Sequence, residues 1–217
     1  ANRGTSLGRS LTAARLSSAT ADQLLREAVD VSFNAISVDG HTSTSDTVLL
    51  LANGASGVAC ESGGEVDAGF HAAMTEVCCE LSQQIIRDAE GASHFVTVDV
   101  RGLRTVAEAR LIAKAICEGA LVKTALTGND PNWGRIVSAA GYTGLEFEEV
   151  DVSLRVNGFP LYTAGTPAPL DEKAVSKSMA SGEIHIELEF TLGEAAARMW
   201  TCDLTQEYVR LNSEYTT

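Results

Sequence analysis

The sequence predicts a mixed α and β fold, and three features of its 217 residues support that prediction. Several segments repeat apolar residues at helical spacing, whereas others alternate apolar and polar residues with the two-residue period of a strand. Helices and strands alternate along residues 1–145, and residues 146–217 are richer in strands. We therefore expect an α/β part followed by a smaller α+β part.

The helices are predicted from apolar residues that recur every three or four positions. The first begins after Ser17, where Ser18 or Thr20 is suited to cap it, and continues to Phe33. The other predicted helices cover 70–86, 107–116, 136–140 and 174–179, with a closing helical turn at 204–211.

The strands are predicted from alternation, or from short apolar runs bounded by turn residues. Asn157 and Gly158 form a hairpin signature between two of them. A second mostly apolar run covers 120–126. The predicted strands are 36–38, 47–51, 95–100, 152–156, 161–162, 183–192 and 196–202.

We expect the chain to be organised around residues 36–54, because two apolar strands flank a dense polar loop. We expect a hairpin, made of a strand, a polar turn and a strand, with Thr47–Leu51 apolar enough to be buried on both faces. Apart from Gly40, every residue of the loop 39–47 carries a side-chain hydrogen-bonding group. Such a loop is usually buried and self-satisfied, or it faces a ligand.

Composition excludes several classes of function. The formal net charge of −13 argues against nucleic acid and anionic membrane surfaces, which require clustered Lys and Arg. Five cysteines with no CxxC spacing suggest neither a disulfide framework nor a zinc site, and the four histidines are scattered, so we expect no metal. No apolar run reaches the length of a membrane span, and residues 1–20 lack the apolar centre of a signal peptide. A reducing cytoplasm is the expected location.

Four motifs occur in a fixed order: DGxTSTxDTVLLLANG, DAEG, LVKTALxGxDPNWGR and CDLTxxYVxxNSxYTT. Over residues 16–217 the chain resembles the β subunit of ornithine acetyltransferase, also called bifunctional glutamate N-acetyltransferase. The ending CDLTQEYVRLNSEYTT is especially similar to acetyltransferase-like proteins of clavulanic acid producers. Whether the chain serves arginine or clavulanic acid synthesis stays open, as do its acyl-group preference and oligomer size.

The resemblance implies a layered N-terminal-nucleophile-type fold, shared with an α subunit cut from the same precursor. It also implies that acetyl moves from N-acetylornithine to glutamate through a threonyl ester. Counting back from motifs shared with the family places the nucleophilic threonine at Thr5. The α-amine of Thr5, with a pKa of about 8, would accept the proton of the Thr5 hydroxyl. Arg3-Gly4 before it and the polar segment after it differ from the family pattern.

Three further positions follow from the resemblance. Glu90 matches the family's substrate-binding glutamate, and Asn212 and Thr217 match two C-terminal substrate contacts. The oxyanion-stabilising pair lies on the α subunit, so we expect this chain to be inactive alone, and to form a heterodimer that associates to a heterotetramer or larger. No cofactor is expected, because the acyl-enzyme itself stores the acetyl group.

Two alternatives remain open from the sequence. One is an N-terminal-nucleophile amidohydrolase or self-processing peptidase, in which water accepts the acyl group. The other is a non-catalytic structural or binding subunit, since four residues precede Thr5 and the segment after it is atypical. Without the resemblance, Glu90 is most simply a solvated residue at a helix end, and Asn212 and Thr217 are tail residues.

Overall fold

The computed structural model describes residues 7–43, 45–60 and 65–214, without the side chains of residues 65 and 66. These residues form a mixed α and β fold, which confirms the predicted fold class. The strands are β1 (Leu7–Thr12), β2 (Ile36–Ser37), β3 (Thr47–Ala52), β4 (Phe95–Leu103), β5 (Ser153–Val156), β6 (Phe159–Thr163), β7 (Thr166–Pro167), β8 (Glu183–Glu189) and β9 (Ala195–Cys202). The α-helices are α1 (Ser18–Asp30), α2 (Glu65–Arg87), α3 (Val106–Glu118), α4 (Ala120–Thr127), α5 (Trp133–Gly141), α6 (Glu172–Met179) and α7 (Gln206–Glu214).

The described residues divide into two compact units. The larger unit contains residues 37–40 and 86–214, and the smaller unit contains the described parts of 7–36 and 41–85. The sequence-based division into 1–145 and 146–217 stays a prediction.

A seven-stranded mixed sheet organises the larger unit, in the order β2-β9-β4-β8-β5-β6-β7. The central strand β4 runs parallel to β8 and antiparallel to β9, while β5 pairs antiparallel with both β8 and β6. The last two strands in the sequence, β8 and β9, therefore lie on either side of β4, which comes from the middle of the chain. This arrangement brings the residues that follow β9 to the residues that precede β4, because β9 runs antiparallel to β4.

One face of this sheet forms the main core. Val96, Val98 and Val100 of β4 are fully buried, and their partners on β8 are apolar as well. Helix α3 packs against β4 and β9 with its apolar stripe, the amphipathic pattern expected of a helix covering a sheet. The opposite positions of β8 are polar or charged, as are Thr97, Asp99 and Arg101 of β4, in agreement with the predicted alternation.

The hairpin signature between β5 and β6 is confirmed. Asn157 and Gly158 both have positive φ, 48° and 80°, as a two-residue hairpin turn requires. The helices predicted over 70–86, 107–116, 136–140 and 174–179 are present, each slightly longer than its periodic core. Ser17, rather than Ser18 or Thr20, caps α1 by accepting the N–H of Thr20 at 3.1 Å.

The smaller unit contains the parallel pair β1 and β3, helix α1 and most of α2. Its core joins Ala28 with Met74 and Cys78, and Phe33, Leu50 and further apolar side chains pack against them. Strand β1 was not predicted, because its polar sequence gives no sustained period.

The prediction that residues 36–54 form one hairpin is wrong. Strand β2 joins the seven-stranded sheet, whereas β3 pairs in parallel with β1. Thr47–Leu51 is not buried on both faces, since Leu49 and Leu51 are 40% and 51% exposed. The loop 39–47 is exposed at each of its described residues. In the part of the chain that the structure describes, no helix is both long and apolar enough to cross a membrane.

Candidate functional site

Glu90 lies in the turn that connects α2 with β4. The N–H of Ala89 donates to the carbonyl of Ile86, and the N–H of Ala92 donates to the carbonyl of Ala89, so the chain leaves the helix in successive tight turns. The Oε1 atom of Glu90 is buried and accepts no hydrogen bond from the described residues. A buried carboxylate oxygen without a donor is unfavourable by about 1 to 3 kcal/mol or more, and a ligand that donates to it would recover that free energy.

Asn212 faces the same carboxylate from α7. Its Nδ2 lies 3.4 Å from Oε2 of Glu90 and donates to the carbonyl of Tyr208 at 3.0 Å. Two of the four predicted site residues, 122 positions apart in sequence, therefore meet. The remaining two, Thr5 and Thr217, lie outside the described residues.

The turn and the helix approach so closely because residue 91 is glycine. Gly91 has a φ of 68°, and a Cβ atom there would lie 2.5 Å from the amide nitrogen of Tyr208. The hydroxyl of Thr205, just before α7, donates to the carbonyl of Gly91 at 2.5 Å and accepts the N–H of Tyr208 at 3.2 Å. The glycine of the DAEG motif thus brings Glu90 to the start of α7.

Asp203 fixes the other side of the turn. Its Oδ1 accepts the backbone N–H groups of Ser93 and His94 at 2.9 and 3.1 Å. Its Oδ2 accepts the Ser93 hydroxyl at 2.5 Å and lies 2.7 Å from Nδ1 of His94. Burial raises the pKa of Asp203, but the hydrogen bonds from Ser93 and His94 outweigh burial and bring the pKa below its ordinary value. The carboxylate is therefore ionised and serves as an anchor for the turn.

A buried lysine supports the adjoining strands. Lys123 of α4 is 3% exposed, and its Nζ donates to the hydroxyl of Thr201 at 2.8 Å and to the carbonyl of Cys202. The Thr201 hydroxyl lies 2.7 Å from the carbonyl of Ser37, to which it donates. Burial lowers the pKa of Lys123, although neighbouring acidic and thiol groups oppose that effect. This network joins β9 to the strand that leads into Asp39.

Asp39 connects the polar loop to α7. Its Oδ2 accepts the phenol of Tyr208 at 2.8 Å. Burial, followed by the hydrogen bond to Asp39, raises the pKa of Tyr208 to about 12. The phenol therefore keeps its proton, and remains a donor, across the neutral pH range.

Sequence reasoning missed the supporting roles of Asp39, Lys123, Asp203 and Tyr208. All four lie inside the ordered motifs, and Lys123 is the lone charge in an apolar run, which is a signal for a buried ion. Within the described residues, no group of three or more His, Cys, Asp or Glu could hold a metal ion. The arrangement can bind a small cationic or amino-acid ligand: a carboxylate accepts an ammonium group, and an amide beside it can donate to a carboxylate.

Comparison with known proteins identifies relatives of the whole chain. The profile of the ArgJ family matches residues 1–217. The arginine biosynthesis bifunctional protein ArgJ of Dehalococcoides mccartyi is 42% identical over 217 residues, which are 100% of this chain and 54% of that protein. The glutamate N-acetyltransferase of Methanocaldococcus jannaschii is 46% identical over 205 residues, 89% of this chain and 50% of that protein. The chain thus spans about half the length of the curated relatives it matches.

A solved structure has the same fold. The crystal structure of the arginine biosynthesis bifunctional protein ArgJ from Bacillus halodurans superposes with a TM-score of 0.94 at 32% sequence identity. The match covers 97% of this chain and 100% of that chain.

Proposed function

The chain belongs to the ArgJ family, and on that premise we propose that it is the β subunit of a self-cleaved acyltransferase that moves acetyl from N-acetylornithine to glutamate. The observation that carries this proposal is the meeting of Glu90 with Asn212, which leaves one Glu90 oxygen buried and without a donor among the described residues. Relatives named glutamate N-acetyltransferase support the same chemistry.

The Glu90 carboxylate suits the amine-bearing end of an amino-acid substrate. An ammonium group would donate to the Oε1 atom of Glu90 by a charge-assisted hydrogen bond. Asn212, held by the carbonyl of Tyr208, offers an amide at the same place. The two residues would orient the substrate, and they do not themselves take part in acyl transfer.

The acyl transfer is assigned to Thr5 on the strength of the resemblance. The Thr5 hydroxyl attacks the acetyl carbonyl of N-acetylornithine while its α-amine accepts the hydroxyl proton. The amide bond breaks, the proton passes to the departing nitrogen, and ornithine leaves a threonyl ester. The amine of glutamate then attacks the ester, forming N-acetylglutamate and restoring the threonine. One amide is exchanged for another, so the reaction needs no cofactor.

The smaller unit offers a surface for the proposed α subunit. Leu7 and Leu11 of β1 and Leu49 and Leu51 of β3 lie on one face of this two-stranded parallel sheet and are 40% to 79% exposed. Parallel sheets are ordinarily covered on both faces, so these exposed leucines, which share the face with Arg9 and Thr47, favour a covering layer. The relatives' other half supplies the chain length for such a layer. We infer that the α subunit provides it.

The pathway and location are also proposals. The relatives' names favour arginine biosynthesis. All five cysteines are thiols, which suits the reducing cytoplasm.

The proposal is tested with the precursor that contains both subunits. The intact mass and N-terminal sequence of the β subunit should show a chain that starts at Thr5. Acetylglutamate and free acetate are then measured together, with N-acetylornithine as the donor. We expect transfer that depends on glutamate, and no turnover for Thr5→Ala. Acetate released at the same rate with or without glutamate would instead indicate an amidohydrolase, and absence of the acetyl-threonine ester would indicate a non-catalytic subunit.

Glu90→Gln tests the binding site. The variant keeps the shape but loses the charge, so we expect KM to rise about tenfold or more, the loss of roughly 1.5 to 3 kcal/mol of binding, while kcat changes little. Glu194→Gln is the matched control, because Glu194 is exposed in the turn before β9. Unchanged KM values for Glu90→Gln would remove Glu90 from substrate binding.

A further inference from the structure

Helix α7 presents Asn212 to Glu90, and it does so with little apolar packing, since Tyr208, Leu211 and Asn212 are only half-buried. None of the residues Gln206–Glu214 is buried, and Val209 is 57% exposed. A helix of nine residues is not stable by itself in water, and this one has no fully buried side chain. Specific polar contacts with the rest of the larger unit therefore contribute much of what determines its position.

Those contacts converge on one residue. The phenol of Tyr208 donates to Asp39 at 2.8 Å, and the carbonyl of the same residue accepts the Asn212 amide at 3.0 Å. Its backbone N–H donates to Thr205, whose hydroxyl bonds to the carbonyl of Gly91, directly after Glu90. Tyr208 thus contacts the polar loop, the Glu90 turn and the substrate-facing amide at once.

The partner of the phenol is itself fixed. Asp39 lies two positions after Ser37, whose carbonyl accepts the Thr201 hydroxyl at 2.7 Å. The Ser37 hydroxyl donates to Glu118 at 3.2 Å and accepts the N–H of Gly40 at 3.1 Å. Thr201 is in turn bonded by buried Lys123. The hydrogen bond from Tyr208 to this segment therefore limits where α7 can lie.

We propose that Tyr208 is a positioning residue for substrate binding, which uses its bond to Asp39 to hold α7 so that Asn212 meets Glu90. This inference rests on the proposed function, in which Glu90 and Asn212 bind the substrate. Tyr208 acts through Asn212 and does not itself contact the reacting atoms. The predicted consequence of losing the bond is weaker substrate binding with the chemical step preserved.

The test uses Tyr208→Phe in the assembly with the α subunit, with Tyr142→Phe as the matched control, since Tyr142 is 88% exposed. We expect Tyr208→Phe to raise the substrate KM about tenfold with kcat within about twofold, as for loss of a hydrogen bond to a charged group. The control should leave both constants unchanged. Equal KM values for Tyr208→Phe and the wild type, in an active assembly, would overturn the proposal.

A double-mutant cycle identifies the Asp39 bond as the cause. Asp39 has further interactions, so the coupling between Asp39→Ala and Tyr208→Phe is the relevant quantity. If both act through one bond, the double variant should raise KM no more than Asp39→Ala alone. Asp39→Asn, which keeps an acceptor oxygen, should restore part of the loss. Additive effects would assign the two residues separate roles.

Hydrogen exchange provides a readout that does not depend on catalysis. Tyr208→Phe and Asp39→Ala should both accelerate exchange of the amides of α7, whereas Tyr142→Phe should not. If the wild-type assembly is inactive but both variants accelerate exchange, the proposed function is refuted, while the conclusion that the Tyr208–Asp39 bond holds α7 in position stands. Unchanged exchange in an active assembly would refute the positioning role and leave the proposed function intact.

Discussion

Gly91→Ala tests the close approach on which the Glu90 site depends. The added Cβ would lie 2.5 Å from the amide nitrogen of Tyr208, about 0.9 Å closer than the 3.4 Å at which ordinary contact begins. It would also lie 2.9 Å from the carbonyl carbon of Glu207. Both are backbone atoms, so no side chain can rotate away. The helix must shift, or the turn must change its conformation.

The loss of stability expected for Gly91→Ala has two parts. Alanine at a φ of 68° is unfavourable by about 1 to 2 kcal/mol, and overpacking against a fixed backbone adds about 1 to 3 kcal/mol. Gly144→Ala isolates the first part, because Gly144 has a φ of 74° and open space around a Cβ atom. We therefore expect Gly91→Ala to lower the free energy of unfolding by about 2 to 5 kcal/mol, and Gly144→Ala by only about 1 to 2 kcal/mol.

The assay is denaturant unfolding of each variant by linear extrapolation, combined with the substrate KM. Since α7 has no buried residue, part of the strain can be relieved by its displacement, which would separate Asn212 from Glu90. We expect KM to rise at least tenfold for Gly91→Ala and to stay constant for Gly144→Ala. Equal destabilisation by the two substitutions, with equal KM values, would refute the close-approach argument.

Two further predictions concern stability. The pKa of Asp203 is lowered in the folded state, so its contribution to the free energy of unfolding is complete above about pH 4 and is lost as the pH falls through the folded pKa. Asp203→Asn should therefore be less stable than the wild type by about 2 to 4 kcal/mol at pH 7. In urea titrations its stability should also decline less steeply towards pH 3. A parallel decline for both proteins would exclude Asp203. Ala164 has a φ of 44° beside Gly165, so Ala164→Gly should raise the free energy of unfolding by about 0.5 to 1 kcal/mol. The control Ala174→Gly in α6 should lower it by about 1 kcal/mol. A loss of stability in Ala164→Gly would contradict the strain argument.

The sequence by itself determined most of the elements, because helix and strand periods are local properties. The stripe of α3, the alternation of β8 and the Asn157-Gly158 turn each involve residues within a few positions of one another. The ordered motifs also predicted Glu90 and Asn212 as site residues through the resemblance, and the structure brings these two side chains together.

Pairing between distant elements was decided only by the tertiary structure. Strands β2 and β3 are close in sequence and separated by a polar loop, which favours a hairpin, but β2 is an edge of the large sheet and β3 pairs with β1. Strand β1 was missed because its more buried positions, Gly8, Ser10 and Thr12, are small or polar, and parallel pairing with β3, rather than propensity, makes it a strand.

The geometry of the site was likewise decided only by the tertiary structure. Glu90 is an ordinary residue after a helix end in sequence, and its carboxylate meets Asn212 only because the end of β9 returns beside the start of β4 and brings α7 with it. The bonds from Tyr208 to Asp39 and from Lys123 to Thr201 likewise join residues at least 78 positions apart. Such contacts depend on strand order and chain direction, which no local period encodes, so the sequence could name the residues of the site but not their arrangement.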